Sequence, residues 1–264
     1  MTIPLIETGM VKRHESASFR KAEEAKLLRF EMIFLQASSL PDLMNLQSVV
    51  AANLPCPEIF VLHDEIYFQE IFRHERSVIG VTTDEGLVAY SIIRIPVLAE
   101  DNLGRDINLP EEMLIKVAHL QAMAVHPAYR GNGLQRKLTS AHLRVIKDLG
   151  CEHACCTVSP KNPISIANYL SCGLAIEGLR PKLHGWWRYI MHKNILHPSF
   201  IDTEASEDMD ESRGLEWSAV FGNQNQIKIH ISDIEGQLYL LKRGFKGFKI
   251  AFNSDGVEIF YAKF

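Results

Sequence analysis

No apolar run in this 264-residue chain comes near the ~18 residues a membrane-spanning helix needs, so no transmembrane segment is expected. The opening stretch, MTIPLIETGMVKRHESASFRKAEEAK, carries charges where a signal peptide would hold its apolar centre. Lacking either address, the chain is expected in the cytoplasm. A basic excess is missing too. The formal net charge is -4, which argues against a general nucleic-acid or membrane binder. Cysteines are few and poorly placed for pairing: Cys56, Cys151, Cys155, Cys156 and Cys172 are odd in number, and adjacent Cys155 and Cys156 would point to opposite faces of a strand. That fits a reducing compartment, with the thiols serving as small buried hydrophobes. No CxxC pair and no HExxH occurs, and His63 and His74 stand eleven apart, so no metal site is expected. The Walker phosphate loop is absent as well.

What is present reads as a globular protein, with 47% apolar and 23% charged residues. Residues 1–27 are polar and aperiodic and read as an N-terminal arm. From residue 28 short apolar runs alternate with helical patterns. SLPDLMNLQSVVAANL and EIYFQEIFRHE have helical spacing, and SVIGVTTDEGLVAYSIIRIPV reads as two strands about an Asp-Glu-Gly turn. LIKVAHLQAMAV reads as a central strand. Leu134, Leu138, Ala141, Val145 and Leu149 share one helix face, and Gly150 ends that helix. HACCTVSP is a strand, NPISIANYLSC a helix, and LAIEGLRPK and WWRYIMHK two further strands. A domain over 28–198 is expected. Residues 199–213, rich in acids, mark a linker, and 214–264 a small β-rich unit of about four strands.

The stretch Arg130-Gly131-Asn132-Gly133-Leu134-Gln135 follows a strand and opens a helix. Arg136 stands where a dinucleotide fingerprint has its third glycine. At a helix start, unpaired N–H groups and the helix dipole favour an anion, and glycines remove the Cβ atoms that would hold a phosphate off the backbone. From residue 116 to 150 there are six Lys or Arg and one acid, Asp148, inside a chain that is acidic overall. A pyrophosphate is the natural guest.

HLQAMAVHPAYRGNGLQRKL followed by VSPKNPISIANYLSCGL resembles the GNAT superfamily of acyl-CoA-dependent N-acetyltransferases, over about residues 28 to 194. The motif Arg/Gln-x-x-Gly-x-Gly/Ala is matched by Arg130, Gly133 and, imperfectly, Gln135. The motif Asn-x-x-Ala/Ser-x-x-x-Tyr-x-x-x-Gly is matched by Asn162, Ser165, Tyr169 and Gly173, with Leu174 in place of the usual aromatic. The resemblance implies an α/β fold of the α+β type, with a mixed, splayed central sheet flanked by helices. It implies acetyl-CoA as cosubstrate, no metal, and direct attack of an amine on the thioester.

On that resemblance, Arg130, Gly131, Asn132, Gly133, Leu134, Gln135 and Arg136 would hold the pyrophosphate. Met123, Ala124 and Val125 would pair with the pantetheine arm, while Asn162 and Ser165 would also contact the cofactor. Asn162 reads equally well as a helix N-cap before Pro163. Tyr169 is the candidate acid toward the leaving thiolate. His119 is the candidate base, at a strand position where some relatives carry glutamate, with Gln121 two residues along to hold a water. Asp64, Glu65 and Glu70 read as a solvated helix face or, in a region that lines the acceptor side in relatives, as an acidic rim that would suit a cationic amine. The acceptor is a small-molecule amine or a protein amino group, and the C-terminal sheet offers edges for pairing into a homodimer. A non-catalytic acyl-CoA-binding or sensing module is the alternative, motivated by the missing strand carboxylate.

Overall fold

The computed structural model describes residues 5–14, 26–196 and 226–263, so the acid-rich stretch 199–213 and residues 214–225 lie outside the described residues. Two units result: residues up to Ile95 with Ala118–Gly150, and Pro96–Val117 with the residues from Cys151 onward.

In the first unit five strands follow one another, each antiparallel to the next: β1 (Leu5–Arg13), β2 (Lys26–Phe34), β3 (Val78–Thr83), β4 (Gly86–Arg94) and β5 (Val117–Val125). β1 corrects the reading of residues 1–27 as an aperiodic arm. It is an edge strand on which Val11 is buried while Thr8, Met10 and Lys12 are exposed, so no long apolar alternation marks it. Helices α1 (Leu40–Ala52) and α2 (Glu65–Phe72) join β2 to β3, and α3 (Leu134–Asp148) follows β5.

Leu43, Leu46 and Val50 of α1 and Phe68 and Ile71 of α2 pack on Tyr90 and Ile92 of β4 and Ala122 and Ala124 of β5. An eight-residue helix such as α2 is unstable alone. Burying Phe68 and Ile71, at about 1.5–3 kcal/mol each, holds it. Ser91, alternating with those β4 residues, faces α3 instead, and its Oγ meets His142 Nδ1 at 2.9 Å. Helices therefore cover both faces of this sheet.

The β4–β5 register carries the feature that positions the site. Ser91 faces Met123 and Ile93 faces Leu120, so Ile92 alone stands against both Gln121 and Ala122. This β-bulge shifts the parity of β5. His119, opposite Arg94, thereby faces the same side as Ala122 and Ala124, toward α1 and α2.

The second unit holds β6 (His153–Val158), α4 (Pro163–Ser171), β7 (Ala175–Lys182), β8 (Trp186–Asn194), β9 (Ile227–His230), α5 (Ile234–Lys242), β10 (Lys246–Asn253) and β11 (Gly256–Ala262). Its strands run in the order β6-β8-β7-β10-β11-β9, antiparallel throughout. Its described residues from 226 onward form three strands and a helix, where about four strands were expected over 214–264. Asp233 caps α5, its carboxylate accepting from the Gly236 N–H at 2.8 Å. β10 meets β7 where Gly247 faces Ile176, and a Cβ on Gly247 would come within 3.0 Å of the Ile176 side chain. The fully buried Gln237 of α5 closes the packing: its Oε1 accepts from the hydroxyls of Tyr189 and Tyr261, both at 2.7 Å, and its Nε2 donates to the Ile231 carbonyl. Over its described residues, the β unit expected at 214–264 continues the β7 edge. Strands and helices thus alternate in the expected α/β class.

Candidate functional site

The loop between β5 and α3 has the backbone that its two glycines allow. Gly131 has φ +83 and Gly133 φ +67, both in the left-handed region that a side chain disfavours. Gly133 caps the 15-residue α3, and the Lys137 N–H closes the first helical bond onto the Gly133 carbonyl. The N–H groups of Gly131, Asn132, Gly133 and Leu134 find no acceptor among the described residues. No acid sits in the first turn of α3. Arg130 is half-buried with no carboxylate partner among the described residues, and burial lowers its guanidinium pKa from the ordinary value. A row of donors and a cation converge here with nothing negative to answer them.

Side chains from distant strands hold this loop in place. Asn132 Oδ1 accepts from the Lys12 N–H, and its Nδ2 donates to the carbonyls of Lys12 and Tyr129, all at 2.8–2.9 Å. The Asn132 side chain is a clamp onto β1, and its main-chain N–H, one of the amides expected to cradle a diphosphate, has no acceptor among the described residues. Asn132→Ala is expected to cost about 1–2 kcal/mol, read as a melting temperature lower by several degrees, and to weaken anion binding several-fold by loosening the loop. Glu85, in the β3–β4 turn, accepts from the Tyr129 hydroxyl at 2.7 Å and pairs with Arg13 and Lys26. The hydrogen bonds from Tyr129 and then Lys26 hold its carboxyl below the usual range, while burial and the same bond push Tyr129 up to about 12. Part of the positive balance is neutralised locally: Lys137 pairs with Glu7 and Lys116 with Glu152.

In the second unit the Asn162 motif builds both ends of α4. Asn162 Oδ1 accepts from the Ser165 N–H at 3.1 Å as the N-cap, Pro163 takes the first turn, and Gly173 turns the chain out with φ +86. The capping role read from the sequence is therefore real, and it leaves the Asn162 amide N–H groups for other partners. Tyr169 lies on the buried side of α4, 5% exposed.

Residues 48–174 match the model of the acetyltransferase (GNAT) family. This stretch, just under half of the chain, is GNAT-like. Similar solved structures include the ribosomal-protein-S18-alanine N-acetyltransferase of Escherichia coli, at 18% identity and TM-score 0.47, covering 65% of this chain and 97% of that one. The yncA protein of Salmonella typhimurium with its cofactor acetyl-CoA is similar at 13% identity and TM-score 0.48, covering 64% and 96%. A GNAT-family acetyltransferase of Streptococcus pneumoniae is similar at 15% identity and TM-score 0.48, covering 62% and 98%. No curated protein sequence matches the chain.

The loop has the chemistry a diphosphate would need. Four main-chain donors lack acceptors, no Cβ intrudes at 131 or 133, and Arg130 is unpaired among the described residues. The first unit brings together His119, Gln121, Met123, Ala124, Val125 and the loop 130–136, while Asn162, Ser165 and Tyr169 share α4 in the second. Asp64, Glu65 and Glu70 are exposed at the start and surface of α2: Asp64 accepts from the Tyr67 N–H at 2.8 Å as the α2 N-cap, Glu70 pairs with Arg73, and Glu65 is exposed in the first turn. The cysteines are free thiols, and burial pushes those of Cys151, Cys155 and Cys156 up, away from nucleophilic use. Among the described residues no group of three His, Cys, Asp or Glu gathers to hold a metal ion, and no helix is long and apolar enough to cross a membrane. The Glu85–Tyr129 brace went unread because its members are 44 residues apart and belong to no local pattern.

Proposed function

We propose that this GNAT-like domain transfers an acetyl group from acetyl-CoA to a primary amine, of a small molecule or a protein, by direct attack in a ternary complex. The observation that carries this reading is the row of unanswered N–H groups from Gly131 to Leu134 at the start of α3. When bound, acetyl-CoA supplies the activated acyl thioester. Arg130 and the main chain of residues 131–136 grip the diphosphate, and the amide N–H groups of Asn162 serve the pantetheine arm. One N–H among Met123, Ala124 and Val125 donates to the thioester oxygen as negative charge grows there.

An attacking amine is largely protonated at neutral pH, with an ordinary pKa of about 8 to 10. His119, turned by the bulge toward the α1 and α2 side, takes that proton directly or through a water held by Gln121. Tyr169 gives its phenolic proton to the departing thiolate. Tyr169→Phe is expected to lower kcat about 100-fold while coenzyme A affinity by calorimetry stays within about twofold. An unchanged kcat removes Tyr169 from the reaction. The absence of a carboxylate on β5, where the 4% exposed His119 stands, supports one second reading, a non-catalytic acyl-CoA sensor. Titrating coenzyme A calorimetrically and then following free thiol across a panel of amines and peptides separates the two: binding without turnover favours the sensor.

A further inference from the structure

On the α1 and α2 side of the first sheet, three buried polar atoms have no hydrogen-bond partner among the described residues: the hydroxyls of Tyr67 and Tyr90, and Oε1 of Gln121. They come from three elements, α2, β4 and β5, that meet in one cluster. Tyr67 packs on Phe68 edge-on at 5.5 Å between ring centroids, and Phe68 packs on Tyr90 edge-on at 6.2 Å. Burial pushes both phenols above the usual range, and Tyr67 is close enough to raise Tyr90 further. Gln121 stands in the bulge against Ile92, beside Ala122 of the same cluster. His119, opposite Arg94, faces this side too. Folding takes these groups out of water and gives them nothing in return, a cost that a polar ligand would remove.

We propose that Tyr67, Tyr90 and Gln121 form the acceptor subsite of the acetyltransferase reaction and select an amine that carries a carbonyl or carboxylate oxygen within two or three bonds of its nitrogen. This rests on the acetyl-transfer reading above and narrows its substrate class. The donor and acceptor count sets the selection. Gln121 Oε1 only accepts, so it requires an N–H, which the attacking amine brings. Each phenol has an O–H to donate, so the same ligand must also bring oxygen acceptors. A plain alkylamine meets the first demand and leaves both phenols unanswered. Charge points the same way: the Arg94 guanidinium acts on Tyr67, while the nearby acids are committed to capping α2, pairing with Arg73 or facing solvent. A second ammonium, as in a polyamine, would meet acids that are already committed. The His63 ring stacks on Tyr67, 3.8 Å between ring centroids.

The test compares alaninamide with propylamine as acceptors, with coenzyme A affinity measured separately by calorimetry. Wild type is expected to prefer alaninamide by at least about tenfold in kcat/KM reckoned on the unprotonated amine, because the α-amine is about two pKa units less basic than the alkylamine. In Tyr67→Phe and Tyr90→Phe that preference should collapse toward unity with coenzyme A affinity retained. Tyr90→Phe without ligand is expected to melt at the wild-type temperature or above, because it deletes an unsatisfied hydroxyl and keeps the ring. This separates a lost ligand contact from a damaged fold. Equal use of both amines by wild type, or a preference that survives both substitutions, overturns the subsite and leaves the acetyl-transfer reading standing. Coenzyme A binding without turnover on either amine overturns the subsite and the catalytic reading together, and failure to bind coenzyme A overturns the cradle itself.

Discussion

Gly133→Val is expected to reduce coenzyme A affinity at least about 100-fold, roughly 2.8 kcal/mol, while lowering stability by only about 1–2 kcal/mol. Two effects add in the binding loss. The first is conformational: at φ +67 a β-branched residue is strained, so the loop relaxes away from the left-handed turn that aims its N–H groups outward. The second is steric, since the new side chain stands beside the Arg136 guanidinium, 3.4 Å from the added Cβ, where an anion must approach. Gly150→Ala separates these effects from general strain. Gly150 has φ +76 and open space around it, so its backbone cost is similar, yet it sits beyond the far end of α3. Calorimetry with coenzyme A and thermal melting on both variants checks the expectation. A Gly133→Val protein that binds as the wild type does, or a Gly150→Ala protein that loses binding equally, would remove the loop from the cofactor site.

What is periodic and local in this chain was legible in its sequence. α1, α2, α3 and α4 were legible because each buries an apolar stripe at helical spacing, as Leu134, Leu138, Ala141 and Val145 do on α3. The Gly131 and Gly133 turn was legible because only glycine suits such a backbone beside a helix start. β1 escaped because an edge strand buries little, and here Val11 alone was too faint a signal. α5 escaped although its cap was visible: the alternation of Ile227, Ile229 and Ile231 was carried forward over a segment that Asp233 turns helical. The bulge that turns His119 belongs to the pairing of β5 with β4, and no single strand encodes it. The clamp made by the Asn132 side chain was not legible, since its partner Lys12 lies 120 residues away. Tyr67 and Tyr90 read as core aromatics, and only the folded structure reveals that their hydroxyls lack partners.

Lowering the pH from 7 to 4 is expected to destabilise the protein steeply, and His142 is the largest single cause. Its imidazole is fully buried under α3, with Nδ1 against Ser91 Oγ at 2.9 Å and Nε2 without a partner among the described residues. Burial pulls its pKa down to about 3, against about 6.5 in an unfolded chain. Between those values the unfolded state binds a proton that the folded state refuses, so stability rises with pH in that window and is lost as pH falls below about 6.5. At pH 4 the loss from His142 is about 3 kcal/mol, a large share of an ordinary folding free energy of about 5–15 kcal/mol. His153 adds in the same direction: burial and then the neighbouring His192, 2.9 Å from it, lower its pKa. Glu177 follows later. Although burial opposes it, hydrogen bonding to His192 and the charge of Lys246 keep its carboxyl below the usual range, so its contribution fades only as pH drops below the ordinary carboxylate value. His142→Gln keeps a hydrogen-bonding group for Ser91 and cannot titrate. Urea unfolding at pH 7, 6, 5 and 4 should therefore give the variant a shallower loss of stability than wild type, by close to one proton's worth of slope. If both proteins lose stability in parallel, His142 is not the residue that acid attacks.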